Sequence, residues 1–123
     1  GGMQIVEVLT RTVRKEYLAY LRSKNISYIF SGENDLEPEH SLEKMKAYFG
    51  IHTLVLCGGA TINGVFLKAG MVDGISEVIV PHVEGNHDQK GIAETNVFVP
   101  DSFPLKKVTQ LPNGSVHLVF EKK

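Results

Sequence analysis

The sequence has little cysteine, no excess of charge of one sign and no long apolar run. Its one cysteine, Cys57, cannot form an internal disulfide. A formal net charge of −1 argues against a nucleic-acid or acidic-membrane partner. No apolar run is long enough to span a bilayer, and the N-terminus lacks the charged-then-apolar pattern of a signal peptide. We therefore expect a cytoplasmic protein that binds neither nucleic acid nor membrane.

Length and composition predict a single folded domain over residues 1–123. With 42% hydrophobic and 22% charged residues, the composition is that of an ordinary globular protein. A chain of this length buries roughly two-thirds of its unfolded surface, which is enough for one core. The opening Gly1-Gly2-Met3 is either a cloning remnant before a start methionine or the cut end of a longer chain.

Predicted strands and helices alternate along most of the chain. The apolar spacing predicts helices over residues 13–23, 41–49 and 60–69, the first with Thr12 as its N-cap. Runs rich in β-branched residues predict strands over 4–10, 26–30, 53–57, 75–80, 105–111 and 116–121. The last two strands are joined through Asn113-Gly114, a strong hairpin signal. The order predicts an α/β fold with a mainly parallel sheet, flanking helices and a C-terminal antiparallel hairpin.

The adjacent glycines Gly58 and Gly59 are the most informative local feature. They follow an apolar run and precede a predicted helix, so a bulky anion can approach the backbone and meet the positive end of the helix dipole. Neither the dinucleotide fingerprint nor the P-loop spacing is present. Two interpretations stay open, a phosphate site and a device for tight strand–helix packing.

Other strand ends add to the phosphate interpretation. The first predicted strand ends in Thr10-Arg11-Thr12 and the second in Ser31-Gly32. Because ligands of parallel sheets bind at the carboxyl ends of strands, a phosphorylated ligand is expected there. The alternatives that involve no ligand are that the threonines cap a helix, that Arg11 is solvated and that Ser31-Gly32 is only a turn.

Two further groups carry weaker signals. His82, Glu84, His87 and Asp88 lie within seven residues, but their spacing matches no metal motif and they fall in a predicted loop over 82–95, so we predict no metal. Cys57 precedes a helix N-terminus, but no partner base can be named, and a small apolar role is the commoner one.

The chain resembles the pyrimidine reductase family of riboflavin biosynthesis, which has the dihydrofolate-reductase-like fold. The resemblance covers nearly the whole sequence. It is carried by residues 16–22, 26–32, 42–51, 57–64 (Cys-Gly-Gly-Ala-Thr-Ile-Asn-Gly), 66–73 (Phe-Leu-Lys-Ala-Gly-Met-Val-Asp) and 79–81 (Ile-Val-Pro).

The resemblance implies NADPH as hydride donor and a phosphorylated pyrimidine with an opened ribose, 5-amino-6-(5-phosphoribosylamino)uracil, as substrate. It places the cofactor's 2′-phosphate at Thr10 and Arg11 and its adenine near Ser31 and Gly32. The pyrophosphate is placed at Gly58, Gly59, Ala60 and Thr61. It also implies a homodimer, and it names no catalytic residue in this chain.

Two departures from the family pattern bear on activity. The acidic residue that usually precedes the glycine pair, near substrate and nicotinamide, is here Cys57, which becomes the candidate substrate contact; the usual Asp-Glu after the third helix is Asp73-Gly74. The N-terminal half of a complete member, with a central strand and most substrate contacts, has no counterpart. The resemblance therefore fits the C-terminal portion of a reductase, and a non-catalytic dimeric nucleotide-binding or structural module is the alternative.

Overall fold

The computed structural model describes residues 2–85, 88 and 90–123. The chain forms two compact units, Gly1–Val55 and Leu56–Lys123, here called the first and the second unit. Compact units of this kind occur within domains as well as between them, so the single domain expected from length stays a prediction. No helix in the described part of the chain is long and apolar enough to cross a bilayer.

The first unit is built from two parallel strands and two helices. Leu21 of one helix and Ile29 of one strand are its buried apolar side chains among the described residues. The two strands pair from Val6 opposite Ser27 to Leu9 opposite Phe30. The elements are β1 (Val6–Leu9), α1 (Lys15–Ser23), β2 (Ser27–Phe30) and α2 (Pro38–Phe49).

The helix ends of the first unit differ in part from expectation. The prediction of Thr12 as the N-cap of α1 is wrong, because the helix begins after Arg14 and Thr12 belongs to the preceding turn. Helix α2 begins at Pro38, earlier than predicted, since proline suits a first helical position that needs no N–H donor. The helix ends at Gly50, which takes the left-handed cap conformation with φ of 65°.

In its described residues, the second unit combines one helix with a three-stranded antiparallel sheet. The strands lie in the order β3-β5-β4. The predicted hairpin is confirmed, with Gly114 at φ of 82° in its turn and Leu111 N–H donating to the Ser115 carbonyl over 2.8 Å. Ala60 and Phe66 are buried. The elements are α3 (Ala60–Lys68), β3 (Gly74–Ile79), β4 (Leu105–Gln110) and β5 (Val116–Glu121).

The predicted α/β class and reductase-like fold are confirmed, with two differences in detail. Residues 53–57 join no sheet in the described part of the chain, and the strand over 74–79 pairs antiparallel to β5. A strand exists only where a neighbour completes its hydrogen-bond ladder. The strand predicted at 53–57 is therefore wrong, because hydrophobic character could not show that a partner strand is available.

Candidate functional site

The ends of β1 and β2 bring four of the predicted site residues together. Ser31 N–H donates to the Leu9 carbonyl over 2.8 Å, and Arg11 N–H donates to the Gly32 carbonyl over 3.2 Å. Thr10 precedes Arg11 in the same turn, and its hydroxyl lies 2.9 Å from that of Thr12. The strand pairing thus continues past both strand ends, so Thr10, Arg11, Ser31 and Gly32 form one local surface of the first unit.

Gly32 is required by the shape of this turn. Its φ is +80°, and a Cβ built there would lie 1.9 Å from the Asp35 carbonyl oxygen. Any side chain would therefore combine left-handed backbone strain with a collision against main chain. The glycine lets the chain turn sharply away from β2 just beyond the strand end.

The Ser31 hydroxyl is engaged in a hydrogen bond within the first unit. Its side chain is fully buried, and its hydroxyl donates to the Glu37 carbonyl over 2.6 Å. Ser41 Oγ donates to the same carbonyl over 2.9 Å, and Lys44 Nζ donates to the Phe30 carbonyl. These contacts tie the start of α2 to the end of β2. Ser31 can therefore shape the turn that carries Gly32, but its hydroxyl is already engaged.

Arg11 presents the positive charge at this surface. Its side chain is 61% exposed, its Nε lies 3.2 Å from Glu33 Oε1, and its guanidinium carbon lies 5.7 Å from the centre of the Phe30 ring. A guanidinium over an aromatic face is held by a modest cation–π attraction. The exposed guanidinium can bind a phosphate by donating paired hydrogen bonds to its oxygens.

The second unit carries the predicted pyrophosphate site at Gly58 and Gly59, here called the glycine turn. Gly58 has φ of +93°, Gly59 is the N-cap of α3, and the peptide bond between them is cis. A Cβ built on Gly59 would meet no atom within 4 Å. No side chain caps α3, and its first turn contains no acidic residue. The N–H groups of Ala60 and Thr61 thus begin an uncapped helix, which is the arrangement that suits an anion.

Asn63 lies beside this turn and joins it to a distant segment. A Cβ on Gly58 would lie 3.4 Å from Asn63 Nδ2, and Nδ2 itself donates to the Ile92 carbonyl over 2.7 Å. Asn63 Oδ1 is buried and has no hydrogen-bond partner in the described structure. A buried amide oxygen without a donor marks a place where a ligand hydrogen or a water is needed.

Residues 90–95, here called the strap, pack along the first half of α3. Glu94 N–H donates to the Ala60 carbonyl over 2.9 Å, and a Cβ on Gly64 would lie 1.8 Å from the Glu94 carbonyl oxygen. The Glu94 carboxylate accepts from Lys90 Nζ over 2.8 Å and from Thr61 Oγ1 over 3.1 Å. The Lys90 hydrogen bond, assisted by that from Thr61, lowers the pKa of the Glu94 carboxyl below its ordinary value. The Thr61 hydroxyl is therefore occupied by a carboxylate.

The remaining candidate residues are Cys57 and the group considered for a metal in the loop over 82–95. Cys57 is exposed, is not in a disulfide, and directly precedes the glycine turn. Over residues 2–85, 88 and 90–123, no three potential metal ligands lie together. His87, one of the four residues considered for a metal, lies outside the described residues.

The sequence matches the family described as the RibD C-terminal domain over residues 3–117. The chain belongs to the RibD C-terminal domain family. The family resemblance found in the sequence is thus confirmed. No curated protein sequence matches this chain at a significant level.

Solved structures show the same fold. A pyrimidine reductase-like protein from Corynebacterium diphtheriae superposes with a TM-score of 0.81 at 13% identity, covering 96% of this chain and 50% of that one. Acinetobacter baumannii RibD form 2 gives 0.69 at 18% identity, covering 90% and 30%. Form 1 gives 0.63 at 16% identity, covering 96% and 37%. This RibD C-terminal domain chain thus spans half or less of the length of each of these proteins.

Several residues of the RibD C-terminal domain site were missed by sequence reasoning. Asn63 and Gly64 lie in the Cys-Gly-Gly-Ala-Thr-Ile-Asn-Gly motif of residues 57–64, but the motif does not show that the strap packs against them. Lys90 and Glu94 lie in a segment without apolar periodicity, so no sequence pattern could place them against α3. No motif marks Glu33 in the sequence, and the structure pairs it with Arg11.

Proposed function

We propose that this chain is the NADPH-binding portion of a pyrimidine reductase of the riboflavin-biosynthesis type. Family membership supports the reaction class, and one observation in the structure carries the proposal. That observation is the exposed Arg11 guanidinium at a strand-end surface also formed by Thr10, Ser31 and Gly32. It is the residue type, and the position at a strand end, that a nucleotide phosphate requires.

The first unit would bind the adenosine half of the cofactor. Arg11 would take the ribose 2′-phosphate through paired hydrogen bonds, with the Thr10 hydroxyl beside it. Gly32 and Ser31 would act by shaping the turn beside the adenine, since the Asp35 carbonyl oxygen fills the Cβ position of Gly32 and the Ser31 hydroxyl donates to Glu37. An exposed cation already held over Phe30 loses little freedom when it binds.

The glycine turn of the second unit fits a pyrophosphate. Gly58 and Gly59 leave the backbone open, and the uncapped N–H groups of Ala60 and Thr61 would donate to phosphate oxygens. These features fit the group that the family implies, although the Thr61 hydroxyl donates to the Glu94 carboxylate. The buried Asn63 Oδ1 has no hydrogen-bond partner among the described residues, but it is an acceptor and would not bind a phosphate oxygen.

The chemistry would be reduction of the opened ribose of a phosphorylated pyrimidine. When bound, NADPH supplies a hydride to the electron-poor sugar carbon, and a proton adds to the neighbouring heteroatom. The chain's own residues would bind and orient the two nucleotide-like molecules. Cys57, directly before the glycine turn, is the proposed substrate contact.

We also propose that two copies of the chain associate. Exposed apolar residues on and just after β3, namely Val78, Ile79 and Val80, are each about half accessible. Contiguous exposed apolar side chains of this kind mark interaction surfaces. Light scattering coupled to gel filtration tests this proposal, and a monomer mass at micromolar concentration would reject it.

Calorimetric titration with NADPH and with NADH at low salt tests the cofactor assignment. We expect NADPH to bind, and Arg11→Ala to weaken it by about tenfold, because a charge-assisted phosphate contact is lost. Arg22→Ala removes the same charge from the exposed last turn of α1 and should leave binding unchanged. Absence of binding, or an equal effect of both variants, would reject the assignment.

A non-catalytic nucleotide-binding module is the second candidate. It is favoured by Cys57, which stands where the family usually has an acidic residue. Mixing the chain with NADPH and the pyrimidine substrate separates the two. Loss of NADPH absorbance indicates a reductase, whereas tight binding without oxidation indicates the module.

A further inference from the structure

Glu33 forms an ion pair with Arg11. The two side chains form an ion pair of 3.2 Å, with 75% of the Glu33 side chain and 61% of the Arg11 side chain exposed. An exposed pair of this kind contributes little to stability, since water and salt compete for both charges. The pair therefore has no strong structural reason to stay closed when a ligand arrives.

Backbone bonds hold these two residues next to each other. Arg11 N–H donates to the Gly32 carbonyl over 3.2 Å, and Thr12 N–H donates to the Glu33 carbonyl over 3.3 Å. Consecutive residues of one strand end are thus matched with consecutive residues of the other. A ligand group that reaches the Arg11 guanidinium therefore arrives beside the segment that carries Glu33.

We propose that Glu33 sets the discrimination between nucleotides with and without a ribose 2′-phosphate, an inference that rests on the proposed cofactor site. A 2′-phosphate attracted by Arg11 is repelled by Glu33 and competes with it for the guanidinium. A free 2′-hydroxyl, in contrast, can donate to the Glu33 carboxylate, which is how acidic residues select the unphosphorylated ribose in other dinucleotide sites. Arg11 and Glu33 together make the site accept both nucleotides, with only a modest preference.

The test is calorimetric titration of the full chain with NADPH and with NADH, in wild type, Glu33→Gln and Glu39→Gln. Glu39 is an exposed carboxylate in the first turn of α2 and serves as the charge-matched control. We expect Glu33→Gln to tighten NADPH binding about threefold and to weaken NADH binding about threefold, as the modest energies of exposed charge contacts imply. Glu39→Gln should move both affinities equally and slightly.

The opposite signs for the two nucleotides are the decisive readout. A general electrostatic effect would tighten both, because both carry a pyrophosphate, and that outcome would overturn the proposal. The proposal would also be overturned if the ratio of NADPH affinity to NADH affinity were the same in Glu33→Gln as in wild type. Arg11→Ala distinguishes a failure of the cofactor assignment from a failure of the role given to Glu33. If Arg11→Ala leaves NADPH binding unchanged, the cofactor assignment itself is wrong. If it weakens NADPH while Glu33→Gln changes neither affinity, only the role of Glu33 is wrong.

Discussion

The strand-end surface of the first unit and the glycine turn of the second unit are built in opposite ways. At the strand ends, the backbone is fixed but the charged side chains of Arg11 and Glu33 are exposed, and Arg11 is held by a solvated ion pair and a ring face. At the glycine turn, the strap is seated by backbone and side-chain bonds to Ala60, Thr61 and Asn63. The first surface is open to exchange with a ligand, whereas the second is already covered in part.

This difference predicts where substitutions act. Changes at Arg11 and Glu33 should alter affinity and leave stability nearly untouched, because exposed charge pairs contribute little to folding. Changes along α3 and the strap should alter stability first, since they affect packed backbone. The stability predictions below test the packed side of the comparison and are ordered by expected size.

Gly64→Ala should have the largest effect on stability. The new Cβ would lie 1.8 Å from the Glu94 carbonyl oxygen, and this atom belongs to main chain and cannot rotate away. We expect the free energy of unfolding to fall by about 3 kcal/mol, as overpacking against backbone implies. Urea denaturation followed by circular dichroism measures the change.

Gly91→Ala is the matched control for this substitution. Gly91 lies in the strap, but a Cβ there would meet no atom within 4 Å. Its effect should stay within about 0.5 kcal/mol, as for most surface changes. Equal midpoints for the two variants would show that the strap does not pack closely on α3, and the contrast between the two surfaces would be lost.

Some of this arrangement was predictable from the sequence and some was not. The strand ends could be located because β-branched runs stop at Thr10 and Ser31, and the hairpin because Asn113-Gly114 favours one turn. These are local signals, carried by neighbouring residues. The α3 start after paired glycines is of the same kind.

Long-range pairings could not be predicted in the same way. The contacts of Asn63 with Ile92 and of Thr61 with Glu94 join residues about thirty positions apart, and Ile92 and Glu94 lie in a segment without apolar periodicity. The 53–57 segment failed as a strand for a related reason, since β-propensity cannot show whether a neighbouring strand is available. No sequence pattern distinguishes Glu33, which the backbone bonds beyond the strand ends place beside Arg11.

Ser31→Ala should have an intermediate effect and sharpens the assignment of the first surface. Loss of the buried hydroxyl leaves the Glu37 carbonyl with one fewer donor, so we expect a loss of about 1 kcal/mol in unfolding free energy. NADPH affinity should change less than twofold, because the hydroxyl serves the turn and not the ligand. A tenfold loss of affinity with unchanged stability, measured by calorimetry and urea denaturation, would place Ser31 among the direct ligand contacts instead.

The smallest expected effect is the pH dependence contributed by Glu94. Lys90 and Thr61 lower the pKa of this carboxyl in the folded chain, so its contribution to stability is present above the ordinary glutamate pKa. That contribution is lost as pH falls through the lowered folded pKa. Urea midpoints measured from neutral to acid pH should therefore fall less steeply in Glu94→Gln than in wild type, whereas Glu84→Gln, in an exposed loop, should keep the wild-type slope. A wild-type slope in Glu94→Gln would mean that backbone bonds and the close contact at Gly64 hold the strap without help from its charges.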